Sequence, residues 1–193
     1  MSPGRRPAFI APPVLAIGVF LLGLGAGPLA RAQSIIKHPG EHPTYSFEAE
    51  PHLAIAPFRA DGVGPGFRGT FVAVDNGFIS SINNSIGIGV GLDWVFYGEN
   101  CGGTPRNCST RSDAIVPVVL QWNFWLHPHW SVFGEPGVAF HFRSHDDHDF
   151  AFDAFTIYGG GRYHFNDHIA LTLRLGAPLI HDNVISVGVS FLL

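Results

Sequence analysis

Three groups of residues in this sequence have the types that site chemistry needs. The first is His145, Asp146, Asp147, His148 and Asp149, five in a row. Imidazole and carboxylate ligate divalent metals. Adjacent residues in a short loop rarely turn toward one ion, so the reading is a solvated loop tip. His38 and His42 read the same way. The second group is Ser131, Glu135 and His141, the residue types of a hydrolase. Ser131 and His141 stand ten residues apart in one strand pattern, about 30 Å at the rise of a strand. They cannot form a dyad, and any other Ser–His pair depends on cross-strand register. No G-x-S-x-G nucleophile signature is present. Gly159 to Gly161 fall inside a strand pattern and read as a bulge or close packing rather than a phosphate loop. No catalytic, cofactor-binding or metal-ligating residue is assigned. The third group is Cys101 and Cys108, separated by the turn-rich GGTPRN. In an oxidising compartment such a pair forms a disulfide, here stapling one loop tip.

The remaining polar residues follow the period of the strands that carry them. Side chains alternate faces along a strand. Tyr45 to Pro57 sets Tyr45, Phe47, Ala49, Leu53 and Ile55 against Glu48, Glu50 and His52. Pro51 predicts a bulge or a local loss of pairing there. The Gly-rich DGVGPG reads as a loop. Phe67 to Asp75 is the second strand, with Arg68 and Thr70 on its polar face and a parity blurred by Val72 and Val74. Asn76 to Ser85 is turn-like. Ile86 to Tyr97 presents glycines and Asp93 opposite Ile88, Val90, Leu92, Trp94 and Phe96. The Cys loop runs from Gly98 to Ser112. Ala114 to Trp125 carries Gln121 and Asn123, and the tight turn LHPH leads to Trp130 to Arg143 with Glu135, His141 and Arg143. Ala151 to Phe165 carries Arg162 and His164, followed by the turn FNDH. Ile169 to Gly176 carries Arg174, and after the loop from Pro178 to Asn183 the chain closes with Val184 to Leu193.

One parity is therefore apolar and bulky in all eight strands. The other collects Glu48, Glu50, Asp93 and Glu135 against Arg68, Arg143, Arg162 and Arg174, with His52, His141, His164, Gln121 and Asn123 beside them. Four acids balance four bases. Aromatics gather at strand ends: Trp122, Phe124, Trp130, Tyr163 and Phe165 near the tight turns, Trp94 and Phe96 at the opposite end. Charged residues are 13% of the 193, about half the usual share of a soluble chain, while aromatics reach 13%. The net charge of -4 and the lack of a basic patch argue against nucleic-acid binding.

Residues 1–32 read as a cleaved signal peptide. Arg5 and Arg6 give the positive start, Ala8 to Ala26 is almost uncharged, and Ala30-Arg31-Ala32 is an A-x-A site before Gln33. A membrane anchor is the other reading, but Pro12 and Pro13 interrupt the run and Val14 to Leu24 is short for a span. Residues 33–43 read as an irregular periplasmic lead and residues 44–193 as one barrel.

The closing strand VISVGVSFLL has Ile185, Val187, Val189, Phe191 and Leu193 on one face and Ser186, Gly188 and Ser190 on the other. It resembles the terminal strand of bacterial outer-membrane β-barrels, although its final residue is Leu193 with the aromatic two earlier. Residues 45–193 as a whole resemble the small OmpA-like barrels. That resemblance implies an all-β, eight-stranded, antiparallel up-and-down transmembrane barrel in the cell outer membrane. Its apolar face would meet lipid and its interior would hold a salt-bridge network, with Glu48, Glu50 and Arg174 pairing beside the closing strand. It further implies contact with membrane lipid and lipopolysaccharide, recognition of the last strand by the barrel-assembly machinery, a monomer, and a structural or surface-interaction role rather than catalysis. The alternatives are a lipid-modifying outer-membrane enzyme, a narrow pore, and a soluble lipocalin-like barrel with the two faces reversed.

Overall fold

The computed structural model describes residues 34–57, 62–97, 111–144, 149–178 and 184–193. The predicted signal peptide, the Cys101–Cys108 bridge and the loop 145–148 lie outside the described residues. Eight strands follow in order: β1 Phe47–Ala56, β2 Gly62–Val74, β3 Asn84–Tyr97, β4 Arg111–His127, β5 Trp130–Ser144, β6 Asp149–Asn166, β7 Ile169–Pro178 and β8 Val184–Leu192. Each pairs antiparallel with its sequence neighbour, and β8 pairs with β1 to close the barrel. Closure removes every sheet edge, so backbone polar groups are satisfied within the ring.

The strand-end that carries residues 34–46 and Leu193 also carries the two shortest turns, at 128–129 and 167–168. We call it the terminal end, and its opposite the loop end.

DGVGPG corrects the sequence reading. Gly62 to Gly66 are not a loop but the first residues of β2, with Ala56 opposite Gly62 and His52 opposite Gly66. Glycine and proline suggest a turn when read alone. Here both neighbouring strands offer a ladder, and the small residues fit under large side chains: a Cβ on Gly66 would collide with His52 and Asp93. Tertiary pairing overrides local propensity.

Four strand prolines share one arrangement. Pro51 lies opposite Phe67 in the β1–β2 ladder, while the β1–β8 ladder passes from Ala49–Phe191 to His52–Gly188 with no pair between. Pro65, Pro117 and Pro136 likewise keep a partner in one ladder and sit at a gap in the other. Proline has no N–H to donate, so it interrupts one seam without shifting the register. At Pro51 the result is the predicted loss of pairing, not a bulge.

The register does shift elsewhere. Between Gly137 and Ala139 the β5–β6 ladder moves from Thr156 to Asp153, so β6 carries one extra residue. Ala154 and Phe155 are both exposed across that bulge. Asp153 therefore points inward, although its alternation with Phe155 and Ile157 reads outward from sequence. A second shift between Val72 and Val74 accounts for the blurred parity of β2.

Candidate functional site

The two faces of the barrel have opposite chemistry. Outside, large apolar side chains are exposed on every strand, with Phe71 at 65% and Phe150 at 61% as extremes. Inside lie Glu48, Glu50, His52, Arg68, Asp93, Gln121, Glu135, His141, Arg162, His164 and Arg174, all buried. Arg143 sits at the loop-end rim with its side chain about a quarter exposed, 3.9 Å from Asp113. A water-soluble barrel places these sets the other way round. This barrel has the polarity of one that crosses a membrane.

The charged groups form a waist across the lumen. Arg174 donates from Nη1 and Nη2 to the two oxygens of Glu50, and from Nε to Glu135 Oε2 at 2.9 Å. Glu135 also accepts from Gln121 Nε2 at 2.9 Å and from Arg68 Nη1 at 3.5 Å. His52 Nε2 meets Asp93 Oδ1 at 2.5 Å, and Arg68 Nη2 lies 3.8 Å from the other oxygen of Asp93. Toward the terminal end, Arg162 pairs with Glu48 at 2.7 Å and donates to Asn123 Oδ1 at 2.7 Å. Ser190 donates to Glu48 at 2.8 Å. Glu50 is thus the partner of Arg174, while Glu48 turns to Arg162. Toward the loop end, His141 Nε2 lies 2.8 Å from Asp153 Oδ2. Arg111 donates to both oxygens of Asp113, at 2.7 and 3.2 Å.

The balance of four acids against four bases is therefore incomplete. Asp113 and Asp153 add two interior carboxylates, and each has its own partner, Arg111 and His141. Aromatics share the polar parity too: Phe133 and Tyr158 stand beside the guanidiniums, and Tyr97 and Trp125 lie further toward the two ends. The guanidinium carbons of Arg162 and Arg174 lie 4.4 and 5.2 Å from the Phe133 ring, and that of Arg68 lies 5.1 Å from the Tyr158 ring. A ring face beside a guanidinium offers it a cation–π contact in addition to its carboxylate. Gly160 makes room for the Phe133 ring, which a Cβ there would meet at 2.5 Å. Close packing accounts for that glycine.

Apolar layers cover the waist on both sides. At the loop end Ala54, Val95, Tyr97, Ile115, Ala139 and Val184 pack together. At the terminal end Ile35, Tyr45, Trp125 and Leu192 form a second cluster. The second cluster depends on residues 34–46, which contain no strand yet are tightly docked. Ile35 N donates to Leu126 O at 3.1 Å, and Asn83 N donates to Ile36 O at 2.7 Å. Asn83 Nδ2 donates to Glu41 O at 3.0 Å, and its side-chain oxygen meets His42 Nδ1. The His42 ring stacks on Trp125 at 5.2 Å. Burial pushes the Tyr45 hydroxyl pKa up, so Tyr45 remains a neutral member of the cap. The lead is irregular, as its sequence indicates, but it is a fitted stopper rather than a loose tail.

The cross-strand register supplies one Ser–His pair. Ser131 Oγ lies 2.8 Å from His164 Nε2. This is the contact of a nucleophile with its base. Both residues are buried, under the stopper and beside Trp125. His164 Nδ1 has no hydrogen-bond partner among the described residues. Ser131 is closed to the surface, and among the described residues no carboxylate orients the imidazole.

Aromatic pairs mark both ends of the outer face. Trp122–Phe124, Trp130–Tyr163 and Phe47–Phe71 lie at the terminal end with centroids 5.0, 4.9 and 4.7 Å apart. Trp94–Phe96 and Phe142–Phe150 lie at the loop end at 5.2 and 5.3 Å. Aromatic belts of this kind sit where hydrocarbon meets headgroups.

No family model matches the chain, and no curated protein sequence matches it. Among solved structures, the outer membrane protein Ail of Yersinia pestis in a phospholipid nanodisc is similar, with a TM-score of 0.49, 7% identity, and coverage of 77% of this chain and 99% of that one. Neisserial surface protein A gives 0.49 and 10% identity over 77% and 95%. The outer membrane protein OprG from Pseudomonas aeruginosa gives 0.47 and 10% over 79% and 98%. By its own ladder and its own polarity, the chain is a closed, eight-stranded, antiparallel barrel of the transmembrane kind.

Proposed function

We propose that this chain is an integral outer-membrane β-barrel with a sealed polar interior, serving a structural or surface-interaction role and not catalysing a reaction. One observation carries the reading: ion pairs fill the inside while phenylalanine, leucine, valine and tryptophan cover the outside. An eight-stranded ring is just wide enough for side chains to fill it, and the layered lumen favours a plug over a narrow pore. In the same reading residues 1–32 are a cleaved export signal and residues 33–43 lie at the periplasmic face. The loop end then faces outward, bearing the Cys101–Cys108 bridge and touching lipopolysaccharide. The β8 strand serves as the mark for the barrel-assembly machinery, and the barrel acts as a monomer.

The test is placement of a charge on the outer face. Val118 and Phe140 face outward near mid-strand on β4 and β5. Val118→Arg and Phe140→Arg should each cost about 2–4 kcal/mol of folding into bilayers. Each should reduce the fraction that shows heat-modifiable gel mobility and resists extraction without detergent. Full tolerance of both, or a native protein soluble without detergent, would overturn the proposal.

A further inference from the structure

At the terminal end two of the links between strands are tight turns, and the third, residues 75–83 between β2 and β3, is longer. Instead of turning back at the rim it folds against the outer wall. The outward positions of β3 show this. Ile88 and Val90 are exposed, at 52% and 50%, yet Asn84 and Ile86 on the same parity are buried, at 1% and 2%. Gly77 lies on them: a Cβ there would collide with the Asn84 amide and come within 3.3 Å of Ile86 Cγ1. Next to it, the Phe78 ring meets the outward Trp122 of β4 edge-on, with centroids 6.1 Å apart.

Irregular backbone is costly beside lipid, because its N–H and C=O groups find no water there. Asn84 supplies the missing bonds. Its Nδ2 donates to Ile79 O at 2.8 Å and to Ile82 O at 2.7 Å, and its Oδ1 accepts from Trp122 Nε1 at 2.9 Å. Gly77 N donates to Asn84 O at 2.8 Å, and Ile82 N to Ile79 O at 3.3 Å. The side turned away from the barrel presents Phe78, at 72% the most exposed large apolar residue among those described, and Ile79 beside it. Asn76, Ser80 and Ser81 flank them and are exposed. Asp75 is the one charge in the segment. Apolar tips between amides and hydroxyls suit the boundary where acyl chains meet headgroups. The aromatic belt of the terminal end runs at the same level, with Trp122 stacked beside Phe124.

We infer that residues 75–82 form a foot lying in the bilayer boundary at the terminal end, with Phe78 and Ile79 among phospholipid acyl chains and the segment taking the place of lipid over Ile86. The inference rests on the transmembrane reading above and adds to it a lipid contact made by residues outside the strands. The foot is continuous with the wall that lipid covers in that reading, so the acyl chains displaced from Ile86 are the ones nearest to Phe78. Its polar backbone is closed off by Asn84 on the barrel side, which leaves side chains to meet the lipid.

Nuclear Overhauser spectra of the folded protein in phosphatidylcholine nanodiscs, with protonated isoleucine methyls in a deuterated chain, test this. The Ile79 methyl should show cross-peaks to acyl methylenes, as the outward Ile88 should. Ile86, on the same face as Ile88 but covered, should show none. Phe78→Asp should remove the acyl cross-peaks of Ile79, bring in cross-peaks to water, and leave those of Ile88 in place. Contact of Ile79 with water alone in the native protein, acyl cross-peaks on Ile86, or an Ile79 signal unmoved by Phe78→Asp would each overturn the inference. So would cross-peaks between Ile79 and a differently labelled second copy, which assign the segment to self-association. Ile88 separates the two levels. Where Ile88 touches acyl chains, a negative result at Ile79 falls on the foot alone. If Ile88 touches none, the transmembrane reading fails and the foot with it.

Discussion

At the waist of the lumen, Glu135 accepts hydrogen bonds from Gln121, Arg68 and Arg174, and Arg174 extends the chain to Glu50. At the terminal end, Trp125 is surrounded by Ile35, Tyr45 and Leu192, with His42 stacked on its ring. Both regions keep water out of one narrow tube. The waist does so with charges that cancel, and its residues all belong to strands. The cap does so with apolar surface, half of it from residues outside the strands. The cost of error differs accordingly. A charge left unpaired at the waist has no water to turn to, whereas a shortened side chain at the cap leaves a small void at the edge of the lumen.

The largest effect should therefore come from the waist. Glu135→Ala strips Arg174 and Arg68 of their shared carboxylate and should cost about 3–5 kcal/mol, read as a fall in the urea midpoint in detergent micelles. A loss below about 1 kcal/mol would show that the waist is hydrated and that its pairs are worth no more than surface pairs. The cap should respond less. Ile35→Ala deletes a buried aliphatic side chain next to Trp125 and should cost about 2 kcal/mol, the low end for such a truncation. A cost equal to that of Glu135→Ala would erase the distinction between the two regions.

The same contrast explains what could be read from sequence. The waist is built from period-two strands, so Glu50, Arg68, Glu135, Arg162 and Arg174 each announce their side of the sheet by position alone. Asp153 does not, because one extra residue in β6 reverses its side and nothing local to Asp153 signals a bulge. Phe133 and Tyr158 share the polar parity, but an aromatic there looks like noise until the guanidiniums it packs against are in place. Gly62 to Gly66 look like a loop because their strand conformation is imposed by partners on both sides. The stopper has no period at all. Ile35, His42 and Asn83 acquire roles only through contacts with residues far away in the chain, and Asn83, within a stretch that reads as a turn, is buried because it holds the lead in place.

The finest division lies within the cap itself. His42 contributes a ring stacked on Trp125 and a hydrogen bond to Asn83, while Ile35 contributes apolar burial. If burial holds the stopper, His42→Ala should cost only about 1 kcal/mol, the net value of one hydrogen bond and some ring contact. Asn83 keeps its two donated hydrogen bonds, from Nδ2 to Glu41 O and from its backbone N–H to Ile36 O, and only its side-chain oxygen loses a partner. Tryptophan fluorescence offers a local reading, since Trp125 is one of four tryptophans in the chain and the one fully buried in the cap. A small red shift with an almost unchanged urea midpoint is the expected result. A loss in His42→Ala as large as in Ile35→Ala would mean that the stopper is held by its polar contacts. The cap would then work by the same logic as the waist, through partners that must not be removed, and the lead would be a strand-like extension of the network instead of an apolar plug.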